Sequence, residues 1–155
     1  MTETIHCTEC TPTGMTCGQH HLYVIELKKS VWEKETKFRN KNKHLPSNYE
    51  GKCYYVGQTK HHPECRYKQH AASKARRNNP RAGFLCNCFS EATVKRLFNK
   101  RRSATYVGDY HKKGGLRPSV YGALNPIATT LEDAQLAEAA LAQQLRDQGF
   151  AVHSA

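Results

Sequence analysis

Glu138 is the residue whose position is hardest to explain without chemistry. On a 3.6-residue period Leu131, Ala134, Leu141 and Leu145 share its face, so a carboxylate sits at the centre of an apolar helical stripe. A carboxylate there is costly unless it is paired or coordinates a cation. The plainer readings are an ion pair with an arginine at the core edge, or exposure at the rim of a sheet. Arg66 and His70 are four residues apart and would point the same way from a helix. That pair suits phosphate chemistry, because a guanidinium forks onto phosphate oxygens and an imidazole moves protons near neutral pH. In a chain with 24 Lys and Arg it also arises by chance. Tyr23 and Tyr55 fall inside apolar runs, where an aromatic ring is more often core than catalyst.

A second constellation opens the chain. Cys7 and Cys10 form one close pair, and Cys17 and His20 form another with the same spacing. Three thiols and an imidazole so arranged can close a tetrahedral Zn²⁺ site. His21 is an alternative fourth ligand. Cys86 and Cys88 compete, since they could join Cys7 and Cys10 in a four-cysteine site. The role would be structural, because four protein ligands leave no position for water. Unliganded thiols are the plainer alternative, and Cys53 and Cys65 read as ordinary thiols.

These residues need elements to hold them. Leu22–Leu27 and Cys53–Gln58 are runs of β-formers and read as buried strands. Gly57 near the end of the second marks a bulge or a close backbone approach. Between them, residues 28–52 are basic and hydrophilic, with Val31, Trp32, Glu35 and Phe38 spaced for one short helix. Pro63 suits the first turn of a helix that runs to about Arg77, before Asn79-Pro80. A basic connector over 78–103 carries a short helix from Ser90 to Asn99. Within 104–124, either Thr105–Val107 or Leu116–Leu124 could be a strand. The last helix has Thr129 and Glu132 at capping-box spacing and Gly149 where a C′ residue belongs. Phe150, Ala151 and Val152 then extend back toward the core.

Charge suggests the partner. The 155 residues carry 24 Lys and Arg against 13 Asp and Glu, a net +11. All but one of those cations lie between Lys28 and Arg117, flanked by mildly acidic ends. Such concentration of one sign points to a polyanion, with nucleic acid foremost; a solvated basic surface is the plainer alternative. No apolar run approaches the ~20 residues of a membrane span. The N-terminus lacks the layout of a signal peptide. Seven cysteines without an export signal are expected to stay reduced or bind metal. A cytoplasmic protein of a prokaryote or phage is the expectation.

Taken together, a Tyr-bearing strand, a Tyr-Val-Gly strand, a helix with Arg and His, and a late helix with one inward Glu resemble the GIY-YIG endonuclease family. The motifs here are His21-Leu22-Tyr23; Tyr55-Val56-Gly57 followed by Gln58-Thr59; Pro63-Glu64-Cys65-Arg66 through His70; and a closing stretch with Asn125-Pro126, Glu138 and Gly149. The subgroup most similar contains type II restriction-like enzymes, and the resemblance covers roughly 22–77 and 105–152. It implies that Tyr23 and Tyr55 lie beside a scissile phosphate and that Arg66 stabilises the charge developing there. It implies that His70 activates water or orients a tyrosine, and that Glu138 is the one protein ligand of a Mg²⁺ ion. It also makes residues 28–52 an insertion.

The expected fold is α/β, a small mixed central sheet flanked by helices. A Cys/His-rich segment over 1–21 precedes a nuclease-like domain over 22–155, with basic insertions at about 28–52 and 78–103. Lys37, Arg39, Lys41 and Lys43 in the first insertion would form a DNA-contacting arm or a solvated loop. Arg76, Arg77, Arg81, Lys100, Arg101 and Arg102 would contact backbone phosphates without reading sequence. The expected activity is Mg²⁺-dependent cleavage of DNA. Its rivals are a non-catalytic zinc-containing nucleic-acid-binding module on the same scaffold and, behind that, a basic ribosome-associated protein. One site cuts one strand, so double-strand cleavage implies a homodimer or two successive events.

Overall fold

In a computed structural model, residues 20–59, 63, 67, 109–125 and 130–154 are described. They form a four-stranded mixed sheet with helices packed on it. Strands β1 (His21–Leu27) and β2 (Cys53–Thr59) pair antiparallel at its centre. Strand β3 (His111–Leu116) adds antiparallel to β1, and β4 (Ala151–Ser154) adds parallel to β2, giving the order β3-β1-β2-β4. Every residue of β1 is buried, which explains its unbroken apolar reading. The helices are α1 (Ser30–Lys34), α2 (Thr36–Asn40), α3 (Pro118–Tyr121), a 3₁₀ turn at Gly122–Leu124, and α4 (Leu131–Asp147). Among the described residues, no helix is long and apolar enough to cross a membrane.

Helix α4 packs against β4, β2 and β1. Its buried stripe is Ala134, Glu138, Leu141, Ala142 and Leu145. Leu131, expected on that stripe, is the first residue of α4 and is 52% exposed, so the buried stripe begins at Ala134. The cap also falls one residue later than the sequence suggests. Thr130, not Thr129, is the N-cap, and its hydroxyl accepts from the Asp133 N–H at 3.2 Å. At the other end, Gly149 adopts φ +92°, the Gly149 N–H reaches the Arg146 carbonyl at 2.9 Å, and the Phe150 N–H reaches that of Leu145 at 3.1 Å. These two bonds form a Schellman motif that reverses the chain into β4.

The predicted single helix over Val31–Phe38 is two, broken where Glu35 is extended. Val31, Trp32 and Phe38 are all buried, and Trp32 meets Phe38 and Tyr49 edge-on at ring distances of 6.3 and 5.2 Å. The stretch after β1 is therefore part of the core on one side and basic on the other. Leu116–Leu124, one of two strand candidates, is largely helical instead, and the other, Thr105–Val107, lies outside the described residues. The strand is His111–Leu116, whose Lys-Lys-Gly-Gly centre has poor β propensity. Pairing with β1 and the charge of Glu26 account for it. Glu26 is 3% exposed on β1, and both Lys112 and Arg117 bond its carboxylate, Arg117 at 3.2 Å. Burial alone would raise the Glu26 carboxyl, but the two cations hold it below its ordinary range.

Two asparagines act as extra strand. Asn125 accepts the Leu22 N–H at 2.7 Å and donates to the Leu22 carbonyl at 2.8 Å, beyond the end of β3. Asn42 treats Val152 on the outer edge of β4 likewise, at 2.8 and 3.1 Å. Each carboxamide mimics a peptide group and satisfies backbone that a neighbouring strand would otherwise pair.

Candidate active site

Strand register determines what meets at the centre of the sheet. Tyr23 lies opposite Gly57, Ile25 opposite Tyr55, and Tyr55 in turn opposite His153 on β4. Cross-strand partners share a face, so Tyr23, Tyr55, Gly57 and His153 all project to the same side. The two tyrosine rings sit diagonally, their centroids 6.0 Å apart and tilted by 33°. His153 stacks on Tyr55 at 5.6 Å and 25°. Both tyrosines are buried, at 2% and 1% exposure.

Gly57 is what lets Tyr23 occupy its position. A Cβ on residue 57 would fall 2.4 Å from both the Cζ and the hydroxyl oxygen of Tyr23. No side chain fits there unless the ring moves, and the ring is enclosed. The close approach expected of this glycine is thus made by a tyrosine ring. Gly57→Ala should destabilise the protein by about 1–3 kcal/mol through overpacking. In a Tyr23→Val background the same change should cost distinctly less, the coupling expected of residues in contact. Equal losses by urea denaturation in the two backgrounds would show that the ring does not rest on Gly57.

His153 went unnoticed in the sequence because its role depends on β4 pairing parallel with β2. Burial first, then the nearby Lys41 and Arg146 cations, pushes its imidazole down to about 4 from 6.5. The ring is therefore neutral at pH 7, and its Nδ1 accepts from the Lys41 ammonium at 3.3 Å. Between those two values the unfolded chain binds a proton that the folded one refuses, so stability falls as pH drops through this window. The loss approaches roughly 3 kcal/mol near pH 4. In His153→Gln that contribution is gone, so the stability gap between wild type and variant should narrow from pH 7 to pH 4.5. A gap independent of pH would contradict the assignment.

Glu138 is 4% exposed at the middle of the α4 stripe, and α4 lies on the strands that carry the tyrosines. The inward carboxylate expected from periodicity is thus inward. A buried carboxylate is a hard oxygen donor of the kind that suits Mg²⁺, which takes one or two carboxylates and keeps several waters. Among the described residues, no group of three or more His, Cys, Asp or Glu is arranged to hold a metal ion.

Of the basic arm, Lys37, Lys41 and Lys43 are exposed, and Lys41 reaches the tyrosine face through His153. Arg39 is engaged within the arm. Its guanidinium donates to the carbonyls of Trp32 and Glu33 at 2.6 and 2.9 Å and to the Thr36 hydroxyl at 3.1 Å, closing the end of α1. Pro63 and Tyr67 are both helical, where a helix was expected from Pro63, and the Tyr67 hydroxyl donates to the Lys112 carbonyl on β3 at 2.8 Å. Arg66 and His70 lie outside the described residues. So do Arg76, Arg77, Arg81, Lys100, Arg101 and Arg102, and so do Cys7, Cys10, Cys17, Cys86 and Cys88. Cys53 is buried and free, and burial pushes its thiol up to about 11, the inert behaviour expected of it. Comparison of the chain with protein-family models, with curated proteins and with solved structures found no match in any of the three.

Proposed function

We propose that the protein is a Mg²⁺-dependent endonuclease that hydrolyses DNA phosphodiester bonds, as its resemblance to GIY-YIG endonucleases implies. The observation that carries this reading is the tyrosine pair. Tyr23 lies across Gly57, its ring 6.0 Å from that of Tyr55, so the two strand motifs of the resemblance meet at one point. The inward Glu138 supports it, because a buried carboxylate beside the tyrosine strands is an oxygen donor of the kind Mg²⁺ takes.

Hydrolysis of a phosphodiester requires an attacking water, a group to take its proton, and positive charge near the phosphate as the bond to the leaving oxygen breaks. In this reading Tyr23 and Tyr55 line the scissile phosphate, and Arg66 forks onto its non-bridging oxygens. Tyr23, Tyr55 and His70 are the candidates to accept the proton. Glu138 would hold the metal, which when bound supplies charge against the leaving oxygen. His153 keeps Tyr55 in place as a neutral ring, and Lys37, Lys41 and Lys43 offer cations to the flanking backbone. A restriction or mobile-element setting fits such an activity.

Incubating supercoiled plasmid with the purified protein, with Mg²⁺ or with EDTA, tests the reading. Nicked or linear product should form with Mg²⁺ and vanish with EDTA. Plasmid that is shifted on a gel but left intact under both conditions would instead establish a non-catalytic nucleic-acid-binding module.

A further inference from the structure

Basic side chains from separate elements converge at the outer edge of β4. Lys41 lies just past α2, Arg146 in the last turn of α4, and His153 on β4 itself. The Lys41 ammonium donates to His153 Nδ1 at 3.3 Å. Arg146 Nε reaches Oδ1 of Asn42, the residue after Lys41, at 3.4 Å, and Arg146 Nη2 donates to the carbonyl of Val152, the residue before His153, at 3.0 Å. His153 is buried, Arg146 is partly buried and Lys41 is exposed.

Among the described residues no acid balances this group. The partners of Lys41 and Arg146 are an imidazole, a carboxamide and a carbonyl, all neutral. The carboxylates in ion pairs are Glu26 and Glu50, held by Lys112, Arg117 and Lys29. Asp147, next to Arg146 in the chain, accepts from Gln143 Nε2 at 2.8 Å instead. The charges that act on His153 are both positive, and burial pushes the Arg146 guanidinium below its ordinary range. Like charges gathered in a partly desolvated place repel, and the carbonyl ends of α2 and α4 offset only a fraction of a charge. Donors also remain. An ammonium has three N–H bonds and a guanidinium five; the bonds above use one from Lys41 and two from Arg146. An oxyanion would satisfy the rest and offset the repulsion.

We propose that Lys41 and Arg146 form a subsite for one backbone phosphate of a nucleic-acid strand, at the β4 edge beside the tyrosine pair. Its oxygens take charge-assisted bonds from both cations. His153 joins the two places, since its ring bonds Lys41 and stacks on Tyr55 at 5.6 Å. Of the exposed lysines in the basic arm, Lys41 is thereby the one with a fixed place next to the site. The inference rests on the nuclease reading only for what happens at Tyr55; the subsite holds a strand whether or not it is cut.

Binding of a labelled short DNA duplex to the full-length protein, followed by fluorescence anisotropy in EDTA, tests this without cleavage. Lys41→Gln should weaken binding about tenfold and lower the slope of log affinity against log salt by about one. Lys41→Arg should restore both. Arg146→Gln should weaken binding as much, measured where urea denaturation shows the variant folded. Lys34→Gln, exposed on α1, should change affinity by less than about twofold. The His153 ring signals in NMR report on the place itself. The duplex should shift them in wild type, and much less in Lys41→Gln at the same duplex concentration. Equal losses in Lys41→Gln and Lys34→Gln would overturn the inference. So would ring signals that respond to inorganic phosphate while the duplex leaves them still, which would assign the cluster to a free phosphate group. Intact plasmid in Mg²⁺ beside a confirmed Lys41 effect would reject the nuclease reading and leave this subsite standing.

Discussion

In the nuclease reading, Glu138→Gln is expected to reduce Mg²⁺-dependent plasmid cleavage by ~10³-fold or more while the protein stays folded. The two side chains have the same shape, and α4 keeps its cap, its Schellman end and the rest of its stripe. What changes is charge. In the nuclease reading Glu138 is the protein's only carboxylate on the metal, and a metal contributes several kcal/mol to a transition state that sheds an anionic oxygen. At about 1.4 kcal/mol per tenfold, ~4 kcal/mol corresponds to the loss expected. Binding should move the other way. Removing a buried negative charge from beside a phosphate leaves affinity for DNA equal or higher, measured in EDTA to suppress cleavage. Retained cleavage to within threefold would reject Glu138 as the metal ligand. Lost cleavage with an equal loss of DNA affinity would point instead to a disrupted surface.

Much of the site's framework is legible in the chain, and the reasons are local. Leu22–Leu27 and Cys53–Gln58 are dense in β-formers, and α4 has an apolar period with a glycine stop, so each is marked by its own residues. Glu138 is visible for the same reason, since one charged residue on an apolar stripe can be seen without knowing what covers it. The strand partners are not local. His111–Leu116 is a strand because Glu26 and the free edge of β1 lie alongside, not because Lys-Lys-Gly-Gly favours one. His153 matters only once β4 is known to run parallel to β2 and place it on Tyr55. Leu131 shows the converse failure: the period is correct, but burial along it begins only at Ala134. Gly57 falls between the two cases. Its need for close approach was readable, but the neighbour that approaches, Tyr23, follows from register alone.

Asn42 is the residue least expected to matter from its surroundings, a basic, hydrophilic stretch read as either an arm or a loop. Asn42→Ala is expected to destabilise the protein by about 2–4 kcal/mol. The side chain is fully buried, and all its polar valences are engaged. Its Oδ1 accepts from the Val152 N–H at 2.8 Å and from Arg146 Nε at 3.4 Å, and its Nδ2 donates to the carbonyls of Phe38 and Val152 at 2.8 and 3.1 Å. Truncation leaves the buried Val152 N–H without its acceptor, at about 1–3 kcal/mol, while the Phe38 carbonyl keeps the Lys41 N–H at 3.3 Å. The Val152 carbonyl suffers less, because Arg146 Nη2 still donates to it at 3.0 Å. A small cavity adds to the loss. Against a total stability of ~5–15 kcal/mol for a domain this size, that is a large fraction. Lys43→Ala, one residue away and exposed, should change stability by less than ~0.5 kcal/mol. Urea denaturation of the pair, with amide exchange at Val152, distinguishes the two outcomes. A loss under ~1 kcal/mol in Asn42→Ala, or unchanged protection of the Val152 amide, would mean that the edge of β4 is not held by this side chain. The consequence reaches the site, because β4 carries His153 against Tyr55. A strand freed at its outer edge loosens the ring behind the tyrosine, so in the nuclease reading cleavage should fall in Asn42→Ala at temperatures where the protein is still folded.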